Sequence, residues 1–193
     1  MTHASTSPSA RQVELLDAAY AYALQHGLVG LSLRPLASAI GSSPRVLLFL
    51  FGSKDGLVRA LLGRARRDEV AMLSQLGLRE GQAGIGLAAA AEQTWVWLVA
   101  KQHRPLLRLW VEAYARSLVE PDGAWAGFAR TTVEEWLEVL AASQPAPERG
   151  TRDGVARRTL ALTVLRGALL DLLATGDEER VSSAVHLALE DLR

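Results

Sequence analysis

The 193-residue chain contains no cysteine, which excludes a disulfide framework and thiolate chemistry. It has no uninterrupted apolar run near the roughly 20 residues that a membrane-spanning helix needs. Its first eight residues are small and polar and lack the apolar core of a secretory signal. The expected setting is the bacterial cytoplasm, with no membrane partner. β-branched residues are sparse. Alanine and leucine dominate a hydrophobic fraction of 49%, which favours an all-α fold with ample core. Catalytic signatures are missing too. There is no His-Glu-x-x-His zinc pattern, no phosphate-cradling Gly-Lys-Ser/Thr loop and no Gly-x-Ser-x-Gly elbow. His3, His26, His103 and His186 lack metal-ligand spacing. The expectation is a protein that is not an enzyme, with no metal and no cofactor.

Net charge is zero, yet it is unevenly spread. Residues 1–67 carry eight basic side chains (Arg11, Arg34, Arg45, Lys54, Arg59, Arg64, Arg66, Arg67) and three acidic ones (Glu14, Asp17, Asp55). The other 13 basic and 18 acidic groups follow, so a head with an excess of five positive charges precedes a body with five negative ones. A basic end on an acidic body is the electrostatic footprint of a nucleic-acid-binding head, although a charged surface split by chance looks the same.

Residues 1–9 read as a disordered tail. Residues 10–54 read as a head whose first helix runs to about His26, with Val13, Leu16, Ala19, Tyr20 and Ala23 on its apolar face. Within it, residues 32–54 carry helix, turn and helix. Ser32 is a candidate N-cap, Leu33, Leu36, Ala37 and Ile40 recur at helical spacing, and Gly41 follows where a left-handed residue is wanted. Ser42 or Ser43 caps the next helix, about residues 43–50, and Pro44 suits its first turn. Val29, Leu31 and Leu47 complete the expected core. In a helix-turn-helix the second helix enters the DNA major groove, but two short helices around a glycine also occur in proteins that bind no DNA.

The surrounding residues carry a resemblance. Leu15-Leu16-Asp17-Ala18-Ala19, His26-Gly27, Gly30-Leu31-Ser32-Leu33-Arg34, Leu36-Ala37, Ile40-Gly41, Ser43-Pro44-Arg45 and Phe51-Gly52-Ser53-Lys54-Asp55-Gly56-Leu57 stand in the order and spacing of one family's head. Residues 13–62 resemble the DNA-binding domain of TetR-family transcriptional repressors. The resemblance implies an all-α homodimer. It also implies a near-palindromic DNA operator, and a helical body, residues 55–193, that takes a small-molecule inducer. Ser32, Leu33, Arg34, Ser43, Pro44, Arg45, Phe49 and Lys54 are then the expected DNA contacts. One departure is plain. Where the family commonly has Thr-Leu-Tyr-Tyr-His-Phe, this chain has Val46-Leu47-Leu48-Phe49-Leu50-Phe51. That keeps an alternative open, a ligand-binding or scaffold protein of the same fold that has lost operator binding.

A long helix from Ser53 or Lys54 to about Leu76 is expected to join head to body. Gly77, Gly81, Gly84 and Gly86 mark a break. Helices are expected at about 84–102, 104–119, 122–142, 152–174 and 177–192, with a loop at 143–153. All five tryptophans, Trp95, Trp97, Trp110, Trp125 and Trp136, fall in the body. An inducer pocket would draw on such aromatics with a few polar groups, here Trp95, Trp110, Glu112, Tyr114 and Phe128, with Glu92, Gln93, His103 and Arg116 as further candidates. Residues 160–173 are apolar nearly all round, so a second surface must cover them. Leu165, Leu169 and Leu172, with Val181, Val185 and Ala188, are the expected dimer interface; burial inside one large bundle is the alternative.

Overall fold

The computed structural model describes residues 9–75, 85–120 and 122–192, with only the backbone for residues 70 and 72–75. The expected tail, the glycine break at 77–84 and Pro121 therefore lie outside the described residues, Ser9 excepted.

Among the described residues the chain is nine α-helices with two short 3-10 turns and no strand. Helix α1 spans Ala10–His26, α2 Leu33–Ala39, α3 Pro44–Phe51 and α4 Lys54–Gln75. The body adds α5 Leu87–Val99, α6 Arg104–Val119, α7 Phe128–Ser143, α8 Arg152–Thr175 and α9 Glu178–Glu190. Local chemistry sets these ends. Ser9, Ser43, Thr151 and Asp177 each accept a backbone N–H from the first turn of their helix. Gly176 closes α8 in the left-handed conformation.

Two apolar cores form. The first gathers Tyr20, Leu36 and Leu47 with the first half of α4 (Leu57, Val58, Leu61, Leu62, Ala65), and also takes in Leu109 and Ala113 of α6. The second fills the body between α5, α7, α8 and α9. Two expected core positions and one helix start change. Val13 is exposed and Leu15 is buried in its place, because Val13 stands about 200° round the helix from Leu15. Val29 is exposed and Leu28 faces inward, in a turn that Gly27 enters at φ +77°. The helix expected from residue 122 starts at Phe128, because Gly123 and Gly127 both take positive φ and leave a single 3-10 turn between them.

The expected dimer contacts need correction. Leu165, Leu169, Leu172, Val181 and Val185 are all buried inside one chain, where α8 and α9 pack on each other and on α5. Ala188 is half-buried. The opposite side of the pair faces out, with Leu160 at 48%, Leu170 at 47% and Leu187 at 70% exposed. Thr163, Gly167, Ser183 and Ala184 are exposed on the same two helices.

The expected loop at 143–153 is held by a polar plug. Gln144 is buried and donates from Nε2 to the carbonyl of Gly154 at 2.9 Å. Arg149 donates to the carbonyls of Ala142 and Gln144, and Arg158 to that of Arg149 and to the Gln144 side-chain oxygen.

Candidate DNA-binding head and ligand cavity

The head presents α3 on a rigid support. Ser43 Oγ accepts the N–H of Val46, and Pro44 occupies the first turn. Leu47 alone of α3 is fully buried and anchors it in the core, with Phe51 packed beside it. Gln12 of α1 donates to the carbonyl of Leu50 at 3.0 Å. Ser53 Oγ then caps α4 through the N–H of Gly56 at 2.9 Å. A side-chain carbon at Gly56 would stand 2.0 Å from the Phe51 carbonyl oxygen, so α3 and α4 meet backbone to backbone there.

This leaves Arg45, Val46, Leu48 and Phe49 outward, with Phe49 86% exposed. Arg34 and Lys54 are exposed on flanking helix starts, and neither they nor Arg45 pair with a carboxylate among the described residues. Ser32 is exposed at the start of α2, but its hydroxyl makes no capping bond there. Leu33 packs on the core, and Ser43 and Pro44 are half-buried. Arg11 is engaged with Glu14 on its own helix.

Two clamps hold the head, one to α4 and one to α6. Arg64 of α4 bonds Asp17 of α1 at 3.0 Å and also Asp68, which accepts the Tyr20 hydroxyl at 2.8 Å. Burial, and then the hydrogen bond to Asp68, push the Tyr20 hydroxyl well above the usual phenol range. At the second clamp Glu112 of α6 accepts the backbone N–H groups of Leu28 and Val29.

A cavity opens between α4, α5, α6, α7 and α8. Its empty volume is about 600 Å³ counted to its open mouth. Trp97, Trp110 and Trp136 supply aromatic wall, with leucines from three helices between them. Two ionisable side chains reach it, Glu69 of α4 and Arg166 of α8. Glu69 is buried and accepts Trp136 Nε1–H and an Arg66 N–H, each at 2.6 Å. Burial, opposed by Arg66, raises its carboxyl above the usual glutamate range. Arg66 also pairs with Glu135. The guanidinium of Arg166 stacks over Tyr114, its carbon 5.2 Å from the ring centre, and Tyr114 stacks in turn on Trp110.

Residues 15–61 match the family described as bacterial regulatory proteins, tetR family. The chain carries the TetR-family head on a TetR-family fold. A transcriptional regulator from Rhodococcus sp. Rha1 superposes with a TM-score of 0.75 at 22% identity, over 97% of this chain and 96% of that one. A putative TetR-family regulator from Rhodococcus sp. gives 0.73 at 22% identity, over 95% and 99%. The multidrug binding protein EbrR, solved with imidazole, gives 0.65 at 25% identity, over 92% and 89%. No curated protein matches the sequence.

Within this chain the expected pocket residues scatter. Trp110 lines the cavity, and Tyr114 stands behind it against Arg166. Trp95 is buried between α5 and α9 and donates to Ser182 Oγ at 3.0 Å. Phe128 packs on the head core, and Glu112 holds the turn after α1. His103 stacks on Trp97 at 3.9 Å without lining the cavity, and Arg116 pairs with Glu120. Glu69 was not legible as a pocket residue, because it reads as one more charge in a charged stretch of α4; Arg166 was missed although it is the lone charge between Arg158 and Asp171, a signal that could have singled it out.

Proposed function

We propose that the chain is a cytoplasmic, homodimeric repressor that a small molecule releases from a near-palindromic operator. The supporting observation is the path of α4. Its first half builds the head core, through Leu57, Leu61 and Ala65, while Ala65 and Glu69 line the cavity. A ligand between α4 and α8 therefore presses on the same rod that carries the head. EbrR, a multidrug binding protein solved with imidazole and with proflavin, supports small-molecule occupancy of a body of this shape. The outward face of α8 and α9, with Leu160, Leu170 and Leu187, is the surface we assign to the partner copy.

In this reading Arg45 contacts base edges and Lys54 a phosphate. Phe49 and Val46 pack on thymine methyl groups. Selection of bound DNA from a random pool, followed by titration at several salt concentrations, tests it. The wild type should recover a dyad site with half-sites about one helical turn apart, or a small multiple. Arg45→Ala should lose ~1–3 kcal/mol and base preference at one position per half-site. Lys54→Ala should weaken all DNA alike and reduce the salt slope by about one phosphate per subunit. The apolar exposure of α3 favours one second reading, a ligand-binding protein without an operator. It predicts no salt-sensitive, sequence-selective binding at all.

A further inference from the structure

The two ionisable groups of the cavity are not equivalent. Glu69 is engaged at both oxygens, one by Trp136 and the other by Arg66. A cationic ligand would have to displace or crowd those donors. Arg166 is in the opposite condition. No carboxylate lies within ion-pair distance of it among the described residues. Its Nε is buried and has no hydrogen-bond partner among the described residues. Tyr114 covers one face of the guanidinium, and a stacked ring takes none of the N–H groups in the guanidinium plane, of which the buried Nε–H has no acceptor among the described residues. A buried cationic donor without an acceptor is costly, and a planar anion is its natural complement.

We propose that the cavity takes an apolar carboxylic acid, bound as the carboxylate, with Arg166 receiving the carboxylate and Trp97, Trp110 and Trp136 enclosing the apolar part. This assignment rests on reading the cavity as the ligand site and adds the charge of the ligand. One guanidinium balances one negative charge, which favours a carboxylate over a doubly charged phosphate monoester. The edge of the guanidinium matches two carboxylate oxygens side by side. The remaining wall is leucine, tryptophan and alanine with the single hydroxyl of Thr94, and that hydroxyl already donates to the Ala90 carbonyl at 2.8 Å. The rest of the ligand is therefore apolar.

The test is calorimetric titration of the full chain with three ligands of one shape: 2-naphthylacetic acid, 2-(2-naphthyl)ethanol and 2-(2-naphthyl)ethylamine. The acid should bind about tenfold or more tighter than the alcohol, as a charge-assisted pair requires, and the amine weakest. Arg166→Gln should bring the acid down to the level of the alcohol. Arg166→Lys, which keeps the charge and loses the fork, should fall between. Melting curves check that both variants fold. A preference for the amine, or an equal loss of all three ligands in Arg166→Gln, overturns the charge assignment while leaving the cavity as a ligand site. Binding of none of the three to the wild type overturns the cavity reading and this one with it.

Discussion

The two carboxylate oxygens of Glu112, on α6, lie 3.0 and 2.9 Å from the backbone nitrogen of Leu28, in the turn that follows α1. The same carboxylate takes the N–H of Val29, so one body side chain satisfies two successive head amides. Glu112→Ala should cost ~1–3 kcal/mol, because a partly buried donor loses a charged acceptor. Amide exchange should accelerate at Leu28 and Val29 and stay unchanged in α9. Unaltered exchange at those two amides would mean that the turn holds its shape without α6.

Two glycines in α4 should respond in opposite directions to the same change. At Gly56 an added methyl meets the Phe51 carbonyl at 2.0 Å, and neither backbone can yield without moving α3. At Gly63 an added methyl meets nothing within 4 Å. Gly56→Ala should lower the melting temperature and weaken DNA binding. Gly63→Ala should raise stability by about 0.5–1 kcal/mol, the ordinary helix advantage of alanine. Equal melting temperatures for the two variants would refute the close approach of α3 and α4.

Glu69 sets a pH dependence with a definite sign. Burial raises its carboxyl in the fold, while the unfolded chain ionises near the free value of about 4.3. The folded state holds the proton more tightly. That contribution is complete below the unfolded value and disappears as pH rises through the folded one. Glu69→Gln should remove it, so the variant gains stability on the wild type between about pH 4 and neutrality. Melting curves at several pH values check this; parallel pH profiles would count against burial as the dominant influence.

The outward face of α8 and α9 should govern assembly. Leu170→Arg and Leu187→Arg place a charge where a partner copy would bury it, at a cost of several kcal/mol to the dimer. Sedimentation should give folded monomers. Leu169→Arg, on the buried side of α8, should unfold the chain instead. A persistent dimer in both outward variants would assign the interface to another surface.

These four cases mark where the sequence was legible. The head was readable because its signals are local. Ser43, Pro44, Gly41 and Gly52 each act on the backbone beside them, while Leu36 and Ala37 mark the buried face of α2 and Leu47 that of α3. Helix α8 was readable as a helix apolar on two sides, but not for which side faces the chain's own core. Leu169 and Leu170 are equally apolar, and only the position of α5 decides that Leu169 faces the chain's own core. Glu112 and Gln144 were illegible for a related reason. A polar residue satisfied by backbone groups distant in sequence carries no periodic signature.

Along α4, Glu69 lies about 22 Å from Lys54 at 1.5 Å per residue, which makes the helix a lever with its short arm in the cavity. A tilt of about 5° at Glu69 carries the far end by about 2 Å, over half of the ~3.4 Å rise of one base pair. On the proposed function, a molecule need only wedge the cavity by a fraction of an atom's width to move the head out of step with DNA. Because Glu112 and the shared core also tie the head to α6, that wedge works only if α6 yields with α4. The stiffness of α6, as much as the fit of the ligand, then sets how little binding is needed for release.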